Sequence, residues 1–195
     1  MGTAPRQQAP APAHTVLGTA RLVLRPLSMD DVPTLNPVFS DPDSMRYWSH
    51  LPHETIETTV ELFQRWTADD ATGRSWAVTR DGGTALGFVN LFGVADRIGS
   101  FGYMLAPAAR GQGFATEAGR AVLGYAFGAW NMHRVEARLD PDNRASARVL
   151  ERLGFTVEGH TRKDFLLGDR YYDTLICGML ADEWRALSAR AGAAA

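Results

Sequence analysis

A single cysteine, Cys177, stands among 195 residues. One thiol closes no internal disulfide and builds no cysteine-rich zinc site. Charge of either sign is also scarce in excess: 20 Lys and Arg face 22 Asp and Glu, for a net charge of −2 and a pI of ≈ 6.2. That balance leaves no basic footprint for nucleic acid or an anionic membrane. No apolar run approaches the roughly 18 residues of a membrane span. Met1 to Ala13 lacks the basic stretch followed by an apolar one that marks a secretory signal. There is no G-x-x-x-x-G-K-[ST] and no G-x-S-x-G. The one G-x-G, Gly111-Gln112-Gly113, has Thr116 where a third glycine would stand, which removes the usual nucleotide-loop enzymes and serine hydrolases. His50 and His53 flank Pro52 and read as a loop pair rather than a metal site. The expectation is a soluble, cytoplasmic protein of one domain, long enough to bury about two-thirds of its unfolded surface without metal or disulfide.

What is present has a clear order along the chain. Residues 1–17, with Pro5, Pro10 and Pro12, read as a disordered tail, as do 191–195, leaving 18–190 as the domain. Leu22 to Leu24 make a short strand closed by Pro26, and Ser28 with Asp31 forms a capping pair that starts a helix. Glu54 to Thr67 puts Ile56, Val60 and Phe63 on one helical face. From Trp76 the period becomes two, through Leu86–Phe92 and Gly99–Leu105, which predicts an antiparallel meander. Thereafter helices at 113–128 and 144–153 alternate with strands at 134–139, from Phe155 onward and at 171–179, and a helix at 182–189 closes the chain. That alternation argues for parallel pairing in the second half. The fold class is α/β or α+β with a mixed sheet.

Chemistry concentrates in two segments. Arg110-Gly111-Gln112-Gly113-Phe114-Ala115-Thr116 joins an apolar strand to a helix. Glycines at a helix mouth bare the free N–H groups and the positive dipole end, a pyrophosphate cradle without a Walker lysine; an ordinary strand-to-helix loop has the same look. Asn143, Ser146 and Leu153-Gly154-Phe155 form the second segment. Ser146, Val149, Leu150 and Leu153 share a helical face, so a hydroxyl points inward and needs a partner. Asn143 is equally suited to be the helix N-cap.

Together these segments resemble the GNAT superfamily of acetyl-CoA-dependent N-acetyltransferases. Within it, the likeness is to the branch of the RimJ and RimL ribosomal-protein N-terminal acetyltransferases, through Arg21-Leu22-Val23-Leu24-Arg25-Pro26, Gly102-Tyr103, Thr116-Glu117-Ala118, Arg134-Val135-Glu136-Ala137 and Asp173. The likeness runs from about Thr19 to Trp184. It implies a mostly antiparallel sheet in which the strand ending at Tyr103-Met104-Leu105 splays from the strand 134–139, with acetyl-CoA in the gap. Its pyrophosphate would lie on Arg110 to Ala115; Thr116, Asn143 and Ser146 would also bind the cosubstrate, and N–H groups near Met104 and Leu105 would face the thioester oxygen, where charge develops. No metal is implied.

The resemblance also assigns roles. Glu136 is the candidate base, acting through water, with pairing to Arg134 or Arg138 as its alternative. Ser146 is the candidate proton donor to the departing thiolate. Many relatives place a tyrosine farther along this helix, where this chain has Leu150. The acceptor pocket is expected from Met45-Arg46-Tyr47-Trp48-Ser49, Tyr103, Asp164, Tyr171 and Tyr172, with Asp164 a second candidate base and Asp173 a buried hydrogen-bonding residue. The leading expectation is acetylation of a protein N-terminal amine. The alternatives are a small amine such as an antibiotic or polyamine, and a non-catalytic acyl-CoA sensor. A homodimer is implied by resemblance alone.

Overall fold

The computed structural model describes residues 11–68 and 72–193. Strands β1 (Leu17–Gly18), β2 (Val23–Pro26), β3 (Arg74–Thr79), β4 (Gly87–Ala95), β5 (Ile98–Leu105), β6 (Arg134–Leu139), β7 (Thr156–Leu167) and β8 (Arg170–Leu180) form one sheet in the order β1-β2-β3-β4-β5-β6-β8-β7. The helices are α1 (Val32–Ser40), α2 (Pro42–Met45), α3 (Ile56–Trp66), α4 (Phe114–Phe127), α5 (Arg144–Leu153) and α6 (Ala181–Ala193). The mixed, mostly antiparallel sheet expected from the sequence is present. The parallel pairing expected for the second half is confined to β5–β6, because β8 runs antiparallel to both β6 and β7. A long hairpin thus replaces the second crossover.

Alternation along the strands divides the core between the two faces of the sheet. Trp76, Val78, Val89, Leu91, Phe101, Leu105, Val135, Ala137 and Leu139 pack with α4 and α5 through residues such as Phe114, Leu123, Leu150 and Leu153. Ala77, Phe88 and Met104 face the other way and pack with Leu35, Phe39, Met45 and Phe63 of α1–α3. At Phe39, with no solvent exposure, burial contributes about 1.5–3 kcal/mol.

Local chemistry sets the boundaries. The capping pair acts as expected: Ser28 Oγ accepts from Asp30 N–H at 3.2 Å, and the Asp31 carboxylate accepts from Ser28 N–H at 3.0 Å. α4 begins at Gly113, whose φ of 80° few side chains tolerate. α5 ends at Gly154 in the same left-handed region, with φ 93°. Of the expected N-terminal tail, residues 1–10 lie outside the described residues. Residues 12–15 strap across the core: the Trp76 indole donates to Thr15 O at 2.9 Å, and the Tyr125 hydroxyl donates to Ala13 O at 2.9 Å. Among the described residues, no helix is long and apolar enough to cross a membrane.

Candidate active site

β5 and β6 pair only at Ile98↔Arg134, Gly99↔Val135 and Ser100↔Glu136. Beyond Ser100 the two strands diverge, and the backbone groups of β5 that face β6 lose their sheet partners. Strand polar groups left unpaired in this way call for a ligand. A cavity of ≈ 480 Å³ opens in the gap. β5 contributes Phe101, Gly102 and Tyr103, and the diverging end of β6 contributes Ala137, Arg138 and Leu139. Asn143 and Ser146 of the α5 turn complete that end, while Trp48, His50 and Trp66 wall the other.

Tyr103 and Ser146 meet across the gap, with 2.7 Å between Tyr103 Oη and Ser146 Oγ. The tyrosine hydroxyl also reaches Ser146 O at 3.4 Å, and in the shorter contact either hydroxyl can donate, so the serine hydrogen can turn to the cavity when the phenol donates to Oγ. Burial pushes the Tyr103 hydroxyl up to about 12, against the smaller opposing effect of its bond to Ser146. The phenol therefore stays protonated. Asn143 takes the capping role: its Oδ1 accepts from Ser146 N–H at 3.0 Å, which fixes the serine at the first turn of α5. Leu150 is buried in the core.

The loop before α4 is held from outside. Arg21 donates to Gln112 O at 3.1 Å and to the Glu117 carboxylate at 2.7 Å, and Glu117 also accepts from Thr19 Oγ1 at 2.7 Å. Guanidinium groups of Arg21 and Arg80 lie 4.8 and 4.6 Å from the centre of the Phe114 ring. Two positive charges thus flank a helix N-terminus. Gly111, with φ 74°, opens to free space where a Cβ would project. The expected cradle residues divide by role: the Arg110 side chain turns back to Leu105 O at 2.9 Å and Ser44 Oγ at 2.7 Å, Gln112 donates to Ala108 O, and Phe114 is buried. What the loop offers a ligand is backbone. Ala115 and Thr116 are half-buried in the first turn, and Thr116 borders a second, shallow depression with Gly113, Arg120 and Arg152. Arg21 and Arg80 were not legible as loop partners, since they lie 91 and 32 residues away from Gln112. Met104 and Leu105 are buried on opposite faces of β5, in the two halves of the core.

Glu136 is not among the residues that line the cavity. Its Oε2 lies 3.2 Å from Arg134 Nη2 and its Oε1 lies 4.0 Å from Arg138 Nη1. Arg134 in turn binds Glu158 at 2.5 Å. The ion pairing weighed as the alternative for this residue is what the side chain makes.

The lining carboxylates are occupied as well. Asp164 binds Arg138 at 2.7 Å; the side chains of Thr161 and Thr174, and then Arg138, hold its carboxyl below the usual range. Asp173 binds His160 at 2.9 Å, and that bond first, then Lys163 N–H, lowers it too. Asp140 accepts from Asp142 N–H at 2.8 Å. Asp173, expected to be buried, sits instead at the cavity rim with part of its side chain exposed. Tyr171 is 53% exposed and does not line the cavity. Its neighbour Tyr172 does, because adjacent strand residues face opposite ways.

The aromatic wall is tied together by nitrogen bonds. Trp48 Nε1–H donates to His50 Nε2 at 2.9 Å. An indole only donates, so His50 carries its proton on Nδ1, toward Leu51 O. His53 stacks on His50 at 4.9 Å and binds Thr59 Oγ1 at 2.7 Å, and Thr59 donates onward to Asn36. Burial first, and then a neighbouring positive charge, lowers both histidines: Arg65 acts on His50, and His50 acts on His53. One more polar group lines the cavity. Asn90 of β4, 3% exposed, has a buried Oδ1 with no hydrogen-bond partner among the described residues.

The comparisons with known proteins agree with this arrangement. The acetyltransferase (GNAT) domain family matches residues 21–156. Spermidine N(1)-acetyltransferase of Escherichia coli (strain K12) is 27% identical over 154 residues, 78% of this chain and 82% of that one. The uncharacterised N-acetyltransferase YoaA of Bacillus subtilis (strain 168) is 30% identical over 164 residues, 82% and 93% of the two chains. Among solved structures, the spermidine N-acetyltransferase from Vibrio cholerae in complex with CoA and spermine aligns with a TM-score of 0.77 at 25% identity, over 86% of this chain and 99% of that one. Mycobacterium smegmatis RimJ in complex with CoA-disulfide gives 0.80 over 89% and 91%, but at 22% identity it supports the fold alone.

Proposed function

The chain belongs to the GNAT family of acetyl-CoA-dependent N-acetyltransferases, and on that premise we propose that the amine it acetylates is the α-amine of a peptide N-terminus. The observation that carries this reading is the state of the cavity's carboxylates. Asp140, Asp164 and Asp173 each already have a partner within the protein, and Arg46 and Arg138 stand among the lining residues with them. A polyamine carries several cationic nitrogens and is best held by several free carboxylates. A wall of Trp48, Trp66 and Phe92 suits instead a chain end with one amine and an apolar or polar side chain beside it.

The residues present fit acetyl-CoA. The left-handed glycines 111 and 113 bare backbone at the mouth of α4 for a pyrophosphate, and the strand edge unpaired beyond Ser100 is free for an extended, amide-bearing arm. Acetyl-CoA supplies a thioester whose acetyl carbon is open to an amine. We assign the remaining work to four groups of this chain. The loop and Arg21 hold the cosubstrate. Backbone N–H groups of β5 near Met104 face the carbonyl. Ser146, aimed by Asn143 and Tyr103, gives its proton to the departing sulfur. Trp48 and Trp66 shape the entry of the acceptor.

The proton that the amine must lose goes to water in the open cavity. An α-amine has a pKa of about 8, so roughly a tenth is neutral at pH 7, whereas a lysine amine near 10.4 is neutral in well under one part in a thousand. A site whose carboxylates are engaged by Arg138, His160 and a backbone N–H therefore favours α-amines by chemistry as well as by shape. Glu136 is given a structural role in the Arg134 cluster. The spermidine N-acetyltransferases among the relatives support the second reading, a small polyamine.

Thiol release from acetyl-CoA, measured with short peptides bearing a free α-amine, the same peptides blocked at the α-amine but carrying lysine, and spermidine, separates the two. Turnover confined to the free α-amines is the expected outcome. A higher kcat/KM for spermidine would replace the peptide reading with the polyamine one.

A further inference from the structure

We propose that Asn90 is the residue that orients the acceptor amine, by accepting one of its N–H bonds. The inference rests on the acetyl-transfer reading above and adds a substrate contact that neither the motifs nor the resemblance pointed to.

Asn90 lies in the middle of β4, two residues after Phe88, and so projects to the same face of the sheet. Phe88 belongs to the core under α1–α3. Tyr103 of β5 projects to the opposite face, toward α5, where it meets Ser146. The gap between β5 and β6 therefore has a side that leads to the α4 loop and Ser146, and a side walled by Trp48, His50 and Trp66. Asn90 stands on the second side with Ser100 and Gly102.

Its neighbourhood is built to keep a carboxamide there. Gly102 is its cross-strand partner, and a Cβ on Gly102 would lie 2.7 Å from Asn90 Oδ1. The glycine thus makes room for the amide. Yet among the described residues the buried Oδ1 has no donor, and a leucine of similar shape would fill the same space without that cost. An oxygen that has given up water and found no partner is completed by a ligand that donates. The thioester carbonyl and the sulfur only accept, and the amide N–H groups of the cosubstrate's arm, which could donate, are told apart by acetyl-CoA affinity in the test below. An amine arriving from the side of Trp48 and Trp66 donates. Asn90 is among the residues that line the cavity, which puts its carboxamide beside such a donor. Being neutral, it aligns the nitrogen lone pair without retaining the proton.

The test uses Asn90→Leu and Asn90→Asp in the full chain. Acceptor binding is read from the fluorescence of Trp48 and Trp66 with CoA present, using a tripeptide amide with one free α-amine as probe and spermidine as second probe. Acetyl-CoA affinity comes from calorimetry, and thermal unfolding is followed alongside. Asn90→Leu is expected to weaken acceptor binding and raise its KM by about 10-fold, to leave acetyl-CoA affinity within 2-fold, and to leave Tm unchanged or higher because the orphaned oxygen is gone. Asn90→Asp is expected to shift preference toward spermidine, since it places a negative charge where a neutral oxygen stood. A structural asparagine would behave in the opposite way, with a lowered Tm and unchanged acceptor affinity, and that result overturns the inference. If the parent enzyme uses spermidine and not the peptide, the acceptor class proposed above falls, and Asn90 is judged by whether Asn90→Leu weakens spermidine; unchanged spermidine binding removes it.

Discussion

The two sides of the gap between β5 and β6 are made differently. The side that faces the α4 loop and α5 is made by backbone and short-range chemistry: two left-handed glycines, a helix mouth, an asparagine cap and a serine in the first turn. The side that faces α1–α3 is a collection of side chains from the segment after α2, from α3, β4 and β5, and from the β7–β8 hairpin. Each segment of the first side takes its conformation from its own neighbours. The second exists only when distant segments arrive together. Cosubstrate recognition by backbone leaves little room for change, whereas a wall of side chains can be altered one residue at a time, and it is there that we place acceptor choice.

The sharpest way to break this contrast is Gly113→Val. A branched side chain in the left-handed region costs about 1–3 kcal/mol, and the loop that must absorb it is the cradle itself. Acetyl-CoA affinity is expected to fall by up to about 100-fold, read by calorimetry; an unchanged affinity would mean that the cosubstrate does not use this loop.

Ser146→Ala comes next. With Ser146 as the proposed proton donor, kcat is expected to fall on the order of 10- to 100-fold while acetyl-CoA binds within a few-fold of the parent. Tyr103→Phe should lower kcat less, and should add nothing when Ser146 is already alanine, because the phenol acts through the serine. Additive losses in the double variant would show two independent roles.

Glu136→Gln sharpens the contrast from the other direction. Bound to Arg134 and outside the cavity lining, Glu136 is expected to affect Tm more than rate. The ratio of parent to mutant kcat should stay flat from pH 6 to 9 and within about 3-fold. A ratio that grows as the acceptor becomes more protonated would return the base to Glu136.

The smallest effect concerns the aromatic wall. Burial holds His50 and His53 below the usual histidine value of 6.5, so between that value and their folded-state values the unfolded chain binds more protons than the native one. Stability is therefore complete well above that usual value and declines as the pH falls below it, which a lowered Tm at acid pH reads out. His50→Gln keeps an acceptor for the Trp48 indole and should flatten that slope. An identical slope in the variant would place the titration elsewhere.

Much of the fold was legible because its signals are local. The strand at 134–139 and the helix at 144–153 were expected with the bounds they have, since alternation, an asparagine cap and a closing glycine mark their ends. The β7–β8 hairpin was not: strands and helices alternate in the sequence whether the strands pair parallel or antiparallel, and register is a property of the sheet. Tyr171 and Tyr172 show the same limit at the site. Adjacent in sequence and alike in chemistry, they were told apart only once pairing with β7 decided which of them faces the cavity.

The amino-acid sequence by itself determined the meander, the helix mouth at Gly111-Gln112-Gly113, the Asn143 to Ser146 turn and, through them, the family and its cosubstrate. These depend on backbone conformations that a few residue types impose on their own neighbours. The tertiary structure alone decided that Arg21 and Glu117 clamp the loop, that Tyr103 meets Ser146, that Glu136 is taken up by Arg134, and that Asn90 is buried over Gly102 without a partner among the described residues. Each of these is a contact between segments far apart in the chain, chosen by how strands register and how side chains from opposite elements fill one space. No local preference of either partner encodes such a meeting.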